Sequence, residues 1–464
     1  METVAGMDAV LLGRIQFGAT MAFHIVFPAF TIGLSAYIAT LEVLWLRTKK
    51  QHYHTLARFW TKIFAVSFAM GVVSGIVLEY QIGTNWSRFA EVTGNTLAPL
   101  FAYEVLTAFF LEASFLGIML FGWNRFPPWL HTLACIVVAL GTALSGFWIL
   151  AANSWMHTPA GFTIRDGITY PGNWFDIIFN PSMPYRFAHM MIATYLTTSL
   201  VVAAAGARYM LAGRFPDEAR TMLHMGLGML ALLAPLQVVV GDLHGLNTLK
   251  HQPAKIAAME AHWDGAHPAP LVLFAWPDAK NERNLAEWSI PKLGSLILTH
   301  EWEGRFPGLL DFKREDRPPL LPVFFMFRLM VGIGLLMIAV GVTGSVLWWR
   351  KRLGGARWFL HPLAYGWPVG FVALLAGWIV TETGRQPWIV HGVLRTADAA
   401  APVTAAQVAS SLVLFVLVYG VVFSIGVWYI NKMIRTGPQP FVPGPEGLPS
   451  RPLAAAQPGA EKLP

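Results

Sequence analysis

Charged side chains are scarce in this chain. Only 13% of its 464 residues are Asp, Glu, Lys or Arg, whereas 55% are hydrophobic. Soluble globular proteins carry about 25% charged residues. A chain with half that fraction has too little polar surface to face water on every side, so lipid must cover part of it. The shortage of charge therefore excludes an ordinary soluble domain and predicts a membrane protein.

Cysteine is almost absent as well. The single cysteine, Cys135, lies in an apolar stretch, which excludes disulfide frameworks, Cys-ligated clusters and covalently attached c-type haem. The net charge of +7 is spread over short loops between apolar segments, so it argues for membrane topology and against nucleic-acid binding. The N-terminus lacks a basic n-region, and we expect no cleavable signal peptide there.

Apolar stretches of membrane-spanning length fill most of the sequence. A span needs about 20 apolar residues, and a backbone in lipid must satisfy its own hydrogen bonds, so each stretch is interpreted as a helix. The expected fold is all-α, a polytopic membrane protein with nine transmembrane helices. Their approximate ranges are 15–46, 63–80, 97–123, 133–152, 187–211, 222–240, 321–349, 363–380 and 408–430.

Positive charge in the short loops orients these helices. One set of helix ends carries most of the Lys and Arg residues, and it is expected to be cytoplasmic, with the N-terminus outside and the C-terminus inside. This set comprises Arg47, Lys49, Lys50, Arg58, Lys62, Arg125, Arg214, Arg220, Arg350, Lys351, Arg352, Arg357, Lys432 and Arg435. The other set comprises Arg14, Arg88, Arg165, Arg186, Arg385 and Arg395.

The chain divides at its longest polar segment. Residues 1–242 hold the first six helices, and residues 321–431 hold the last three. Between them, residues 243–320 form a long external loop, whose tryptophans and apolar patches predict folding against the membrane surface. Residues 432–464 are rich in Pro, Gly and Ala and are expected to be a disordered cytoplasmic tail.

Several ionisable side chains fall inside the predicted spans. Such a group at a helix centre costs about 2.5–3.5 kcal/mol on insertion scales and needs a reason. At 1.5 Å per residue, five of the polar or sulfur-bearing groups fall in the outer half of the membrane, and Glu112 lies about 12 Å deeper than Glu104. The five are His24, Glu104, His189, Met330 and Glu382.

Histidine, methionine and carboxylate at one depth indicate haem iron. A His/Met pair raises the potential of a low-spin haem, whereas Mg²⁺ or Ca²⁺ would prefer oxygen ligands. Arg328, two residues before Met330, can offset haem propionates. Taken singly, each group has a simpler interpretation: an intramembrane His as an interhelical hydrogen-bond partner, Met330 as core filling, and Glu382 as the partner of Arg385. Their common depth favours haem.

An ordered set of motifs resembles subunit I of cytochrome bd-type quinol oxidases, over nearly the whole chain except the tail. The most specific is GRQPW after a buried Glu, and the external loop is short, as in the short-loop type that includes cyanide-insensitive oxidases. The motifs are RIQFGATMAFH (14–24), GTNW (83–86), AFFLE ending at Glu112, GDxxG (241–245), KIAAMEAHW (255–263), FRLMVG (327–332) and WIVTETGRQPW (378–388).

The resemblance implies three haems near the outer face. Two are b haems, one low-spin and one high-spin. The third is haem d in the family, but because the external loop is of the short type, its identity here is left open between haem d and haem b. His189 and Met330 match the axial ligands of the low-spin haem, with Arg328 beside it. His24 and Glu382 match one ligand each of the high-spin pair. The residues matching groups near that pair are Glu104, Arg14, Trp378 and Arg385.

The resemblance also implies a reaction. Quinol would bind at Gln252, Lys255 and Glu260 and pass electrons to the haems, which reduce O₂ to water. Without the family, Lys255 and Glu260 would be interpreted as a weak surface pair. Glu112 followed by Glu104 would bring in cytoplasmic protons, which generates a proton gradient without a pump. The implied setting is a bacterial inner membrane, with a second large subunit and a possible one-helix subunit.

Two other function classes fit buried Glu and His. One is a cofactor-free, proton-coupled transporter, although broken helices and repeats around a midplane site are not visible in the sequence. The other is a quinone-linked cytochrome b subunit that does not reduce oxygen, and only the family resemblance argues against it.

Overall fold

A computed structural model describes residues 3, 4, 6–265 and 267–439. Among these residues, eight helices are long and apolar enough to cross a membrane, and a bent helix pair makes a ninth span. The expected class, an all-α polytopic membrane protein, is confirmed. The helices are α1 (Ala9–Thr48), α2 (Gln51–Thr84), α3 (Ser87–Glu104), a π-helical turn (Val105–Phe109), α4 (Phe110–Phe121), α5 (Pro128–His157), α6 (Trp174–Ile178), α7 (Met183–Leu211), α8 (Pro216–His251), α9 (Pro253–Glu260), α10 (Leu293–Thr299), α11 (Leu320–Trp349), α12 (Arg357–Tyr365), α13 (Val369–Thr383) and α14 (Ala405–Thr436).

Local chemistry sets several helix starts. The Asp8 side chain accepts a hydrogen bond from the Leu11 N–H at 2.8 Å and caps α1. Thr404 and Gln407 form a reciprocal capping box at the start of α14. Such caps satisfy N–H groups that have no partner within the helix. α12 and α13 meet at an angle of 49° across Gly366–Pro368, where the proline interrupts the helical hydrogen bonding.

Most of the spanning helices are longer than the hydropathy pattern predicts. α2 begins at Gln51 where residue 63 was expected, and α3 begins at Ser87 where residue 97 was expected. Two further extensions lie at the C-terminal ends of α8 and α5. The sixth span was expected to end near residue 240, but α8 continues to His251. The fourth was expected to end near residue 152, but α5 continues to His157. Both extensions carry polar residues that face other protein elements, so they lower the hydropathy without ending the helix. α14 runs to Thr436, and residues 440–464 of the predicted tail lie outside the described residues.

Helix α7 lies at the centre of the bundle. In its most apolar 18-residue window 78% of residues are buried, against 17% in α11. Its C-terminal half is rich in Ala, Thr and Ser, and these small side chains let α1 and α8 approach closely, as is common between membrane helices. α14, at the periphery, exposes a long apolar surface. This surface includes Val413, Leu414, Val416, Leu417, Val421 and Ile425.

The segment after α8 folds into a compact unit at one end of the bundle. It contains α9, α10 and an antiparallel hairpin of β3 (Leu271–Asp278) and β4 (Arg283–Ile290). Its small apolar core packs against the first turns of α11 and the end of α13. Two shorter hairpins are formed by β1 (Phe162–Arg165) with β2 (Ile168–Pro171), and by β5 (Trp388–Val390) with β6 (Leu394–Arg395).

Candidate active site

Glu382, near the end of α13, is the centre of a polar cluster. Its carboxylate pairs with the Arg385 guanidinium and accepts a hydrogen bond from the Asn153 amide at 2.9 Å. The Nε2 atom of His157 lies 3.5 Å from the same carboxylate oxygen. The Arg385 pairing anticipated from sequence is therefore present, but α5 adds two further partners. The cluster holds a carboxylate in place where three segments of the chain meet.

The segment after α8 connects directly to this cluster. The Gln252 amide donates to the His157 carbonyl at 2.9 Å, and its other amide atom lies 3.4 Å from His157 Nδ1. The Lys255 ammonium group donates to the Thr381 carbonyl at 2.8 Å. Two residues predicted to bind quinol thus share one hydrogen-bonded network with a predicted iron ligand. The sequence placed them in separate regions.

Lys255 is a buried amine, with 4% of the residue exposed. Burial, together with the charges of Arg186 and Arg385, holds the pKa of Lys255 well below its ordinary value, although Glu382 opposes the shift. Between its folded-state pKa and the ordinary value of about 10.4, the unfolded chain binds more protons at this group than the folded chain does. Folding stability therefore rises with pH across that window.

This linkage predicts the behaviour of Lys255→Met. We expect the variant to unfold at a higher temperature than wild type near neutral pH, because it buries no ionisable amine. The difference in free energy of unfolding should shrink by up to about 1.4 kcal/mol per pH unit as pH approaches about 10.4. Thermal unfolding of the detergent-purified protein at several pH values measures it. Lys250→Met, at the exposed end of α8, is the control, and a pH-independent difference for Lys255→Met would contradict the assignment.

Arg328 ties the same segment to α11. Its guanidinium pairs with the Glu260 carboxylate at 2.9 Å and also donates to the Val272 carbonyl at 3.1 Å and to the Met259 carbonyl. Its donors are thus directed at α9 and the β3–β4 hairpin. Because Met330 is two residues further along the same helix, this contact couples the position of the predicted quinol loop to that of a predicted haem ligand.

His24 is oriented by α2. Its Nδ1 atom lies 3.0 Å from the Ser74 hydroxyl, which itself donates to the Met70 and Gly71 carbonyls. When the single hydroxyl proton of Ser74 is donated to one of these carbonyls, the contact with His24 requires a proton on Nδ1. The other nitrogen, Nε2, then keeps its lone pair, as in a metal-ligating histidine whose second nitrogen is hydrogen-bonded.

His189 and Met330 come from different sides of the bundle. The Nδ1 atom of His189 is buried and has no hydrogen-bond partner among the described residues, while the Gln237 amide fixes the His189 carbonyl at 3.0 Å. The Met330 sulfur faces α13, where a Cβ at Gly377 would lie only 2.8 Å from it. Glycine is therefore required at 377 for this approach.

The donor set suits haem iron. It offers imidazole nitrogens, a thioether sulfur and one carboxylate, held by helices rather than by loops. Imidazole and thioether are the axial ligands of low-spin haems, and a buried imidazole nitrogen without a partner is costly unless something binds it. His24, His189, Met330 and Glu382 therefore fit the haems that the sequence predicts.

The two acidic residues of the third span face the same neighbour. An uninterrupted α-helix would turn about 80° between residues eight apart, but the π-helical turn between them accommodates one extra residue, so they lie about two turns apart on one face. Both meet α5: the Ser145 hydroxyl donates to Glu104 at 2.6 Å, and a Cβ at Gly141 would lie 2.7 Å from Glu112 Cγ. One oxygen of the buried Glu112 carboxylate has no partner among the described residues.

Two predicted site residues lie outside the hydrogen-bonded network around Glu382. Arg14 is exposed in the second turn of α1, and no hydrogen bond or ion pair to it is found within the described part of the chain. Trp378 is half-buried in α13, one turn before Glu382. Their predicted roles beside the haem pair stay predictions.

Sequence reasoning missed several polar residues of the site. His157 and Asn153 lie beyond the predicted end of the fourth span, Ser145 is a small residue inside it, and the His244 ring lies 5.6 Å from that of His189. The helical spacing of Ser145, Asn153 and His157 could have indicated a polar side of α5, because positions separated by four or eight residues lie near one side of a helix, although Ile149 between them is apolar.

Comparison with known proteins decides the family. Residues 12–438 match the family model described as cytochrome bd terminal oxidase subunit I. The chain belongs to this family. The chain is 34% identical over 443 residues to cytochrome bd ubiquinol oxidase subunit 1 of Bacillus subtilis, which covers 93% of this chain and 94% of that protein. It is 32% identical to cytochrome bd-II ubiquinol oxidase subunit 1 of Escherichia coli, over 93% of this chain and 97% of that one.

The bd oxidase fold is shared as well. The solved bd oxidase from Geobacillus thermodenitrificans superposes with a TM-score of 0.86 at 33% sequence identity and covers 94% of this chain and 100% of that one. The resemblance deduced from the motifs is thus confirmed. Family membership and the spanning helices make this a multi-pass protein of a bacterial inner membrane.

Proposed function

We propose that this chain is the haem-carrying subunit of a terminal oxidase that oxidises quinol at the face bearing α9 and reduces O₂ to water. One observation carries the proposal: Gln252 and Lys255 join Glu382 through His157 and Thr381 in a single buried network. This network places the proposed quinol site next to a proposed iron ligand, so the path for electron transfer between quinol and the haems is short. The relatives' names, which describe ubiquinol oxidases, agree.

Three haems would be held by the residues already described. His189 and Met330 would bind a low-spin b haem, and His24 and Glu382 would each bind one member of a high-spin pair, a b haem and a third haem of type d or b. When bound, these groups would accept electrons one at a time and reduce O₂. The protein's part is to fix the ligands: Ser74 selects the His24 tautomer, and Asn153 with His157 positions Glu382.

Quinol oxidation requires a proton acceptor beside the ring. Glu260 is buried and its carboxylate lies 2.9 Å from the Arg328 guanidinium. A carboxylate held within reach of a quinol hydroxyl can accept its proton as electrons leave. Lys255, a buried amine, can donate to or polarise the other ring oxygen. A relative in Bacillus subtilis is named a putative menaquinol oxidase subunit, so the substrate is assigned only to the quinol class.

Proton supply would come from the opposite face. With the N-terminus outside and the C-terminus inside, as loop charge predicts, Glu112 lies closer to the cytoplasm than Glu104. The Ser145 hydroxyl donates a hydrogen bond to the Glu104 carboxylate. Protons would pass from the cytoplasmic side through Glu112 and Glu104 to the site where O₂ takes up four electrons and four protons. Quinol protons leave outside, so a gradient forms without pumping.

The oxidase would include a second large membrane subunit and, in some assemblies, a one-helix subunit. Lipid would cover the rest of its membrane-facing surface. The apolar residues exposed on α4 and α14 offer surface for such contacts. These residues include Phe110 and Phe121 on α4 and Leu417, Val421 and Ile425 on α14.

A reduced-minus-oxidised spectrum of the purified complex, combined with an oxygen-uptake assay on quinol, tests the proposal. We expect low-spin and high-spin haem signals together with quinol-driven oxygen uptake. Haem signals without oxygen uptake would indicate a quinone-linked cytochrome b subunit, and the absence of haem would indicate a transporter. Extraction of the haems distinguishes type d from type b at the third position.

A further inference from the structure

A second buried polar cluster lies far from the haem ligands, at the end of the bundle where α1 finishes and α5 begins. It consists of Glu42, His131 and Cys135, and their ligand atoms all lie within 4.8 Å of one another. Glu42 and Cys135 are 0% exposed and His131 is 2% exposed. None of these residues takes part in the proposed reaction.

The hydrogen bonds of His131 create an unsatisfied contact. Its Nε2 atom lies 3.2 Å from the Met119 carbonyl, and its Nδ1 atom lies 3.1 Å from the Glu42 carboxylate. Both oxygens are acceptors, whereas a neutral imidazole carries a single N–H, so one of the two contacts places a nitrogen lone pair against an oxygen. A second proton satisfies both contacts, and so does a metal ion between Nδ1 and the carboxylate with the N–H on Nε2.

Three further observations favour a metal ion. The Cys135 sulfur, one helical turn further along α5, lies 3.9 Å from the same Nδ1 atom and offers a third ligand atom. The second oxygen of Glu42 is buried without a hydrogen-bond partner among the described residues, which is costly for a carboxylate. Tetrahedral zinc places N, O and S ligands about 3.3–3.7 Å apart, so the two separations from Nδ1, 3.1 and 3.9 Å, need to change by only a few tenths of an ångström. The separation between Glu42 and Cys135, which is at most 4.8 Å, needs to shorten by no more than about 1 Å.

Charge and surroundings agree with a divalent ion. A carboxylate and a thiolate together balance a charge of +2, which keeps the buried site close to neutral. Trp123 covers His131 with ring centres 4.1 Å apart, and the Arg58 guanidinium lies 4.9 Å from the Trp123 ring. Arg58 also attracts Glu42 electrostatically.

We propose that Glu42, His131 and Cys135 supply three of the four ligands of a tetrahedral site for Zn²⁺. The mixed set of oxygen, nitrogen and sulfur is one that zinc accepts and that Mg²⁺ or Ca²⁺ does not. The ion ties α1 to α5, and through the Met119 carbonyl on His131 it also fixes α4. The site is independent of the haems and of the quinol loop.

The test uses the purified oxidase complex, equilibrated with free zinc buffered at about 1 nM, within the range of structural zinc sites. Metal analysis should find one zinc per complex, and zinc-edge X-ray absorption should show one sulfur at about 2.3 Å and nitrogen or oxygen at about 2.0–2.1 Å. Cys135→Ala and His131→Gln should each weaken zinc binding more than about 100-fold, beyond the loss typical of residues that only support a ligand.

Thr132→Val is the matched control. Thr132 contacts the same Glu42 oxygen at 3.5 Å but offers no ligand, so this variant should keep its zinc. Haem content in every variant reports on folding. Wild type without zinc at this concentration would overturn the proposal in favour of a proton shared by Glu42 and His131. Zinc that persists in both ligand variants, or that lacks sulfur in its absorption spectrum, would show an adventitious ion only and would overturn it as well.

Discussion

Replacing His189 with alanine is expected to abolish the low-spin b-haem signal. The imidazole is the one buried side chain in this part of α7 with an unpartnered ring nitrogen among the described residues, and methyl cannot replace it as a ligand. Loss of residues that merely support a ligand costs 10–100-fold in affinity, so removal of the ligand itself should weaken haem binding more than about 100-fold. Reduced-minus-oxidised spectra of the purified complex measure the signal directly, and quinol-driven oxygen uptake should fall with it.

His244→Ala provides the control for that experiment. His244 lies on the neighbouring helix α8, and its ring is 5.6 Å from that of His189 on α7. Its loss should leave the low-spin spectrum intact. A normal low-spin spectrum in His189→Ala would contradict the assignment, and loss of the signal in His244→Ala alone would transfer the ligand role to α8.

Hydropathy predicted the existence of all nine spans but placed many of their ends too early or too late, by as much as the 12 residues between the expected start of α2 near residue 63 and its observed start at Gln51. Helices α5 and α8 continue past the apolar stretches because Asn153, His157 and Asp242 face protein partners, and hydropathy cannot distinguish such positions from a loop. The β3–β4 hairpin was not predicted for a related reason. Its pairing depends on contacts with α11 that are distant in sequence, and its two register shifts break the simple alternation of a strand.

Some of the site residues could likewise be predicted from sequence and others could not. Depth along each helix indicated that His24, His189, Met330 and Glu382 belong together, because depth follows from sequence position alone. The direction in which a side chain points around its helix, and the residues it packs against, do not follow from sequence position. The roles of Ser74 and Ser145 and the contacts of Arg328 with α9 were therefore not foreseen. Glu42 was overlooked even though it lies inside a predicted span, and His131 fell just outside one.

Glu112→Gln is expected to stop the supply of protons for oxygen reduction. The carboxylate is 4% exposed, one of its oxygens has no partner among the described residues, and the π-helical turn places it on the same face as Glu104. An amide of the same shape cannot take up and release a proton. Turnover with excess quinol should fall by about 10²–10⁴-fold, the usual contribution of a positioned proton-transfer group, while haem spectra stay unchanged.

Glu91→Gln is the control for this experiment. It makes the same substitution in the same span, but Glu91 is exposed and pairs with Arg88, so this variant should leave turnover unchanged. Oxygen uptake and proton uptake from the inner side of proteoliposomes measure both variants. Full turnover with full inner proton uptake in Glu112→Gln would eliminate the relay. Because the haem spectra report separately on the ligands, a slow variant with normal spectra isolates proton delivery from electron transfer. That outcome would assign the two buried glutamates to a path along α5, from Gly141 towards Ser145, and would explain why a π-helical turn lies between them.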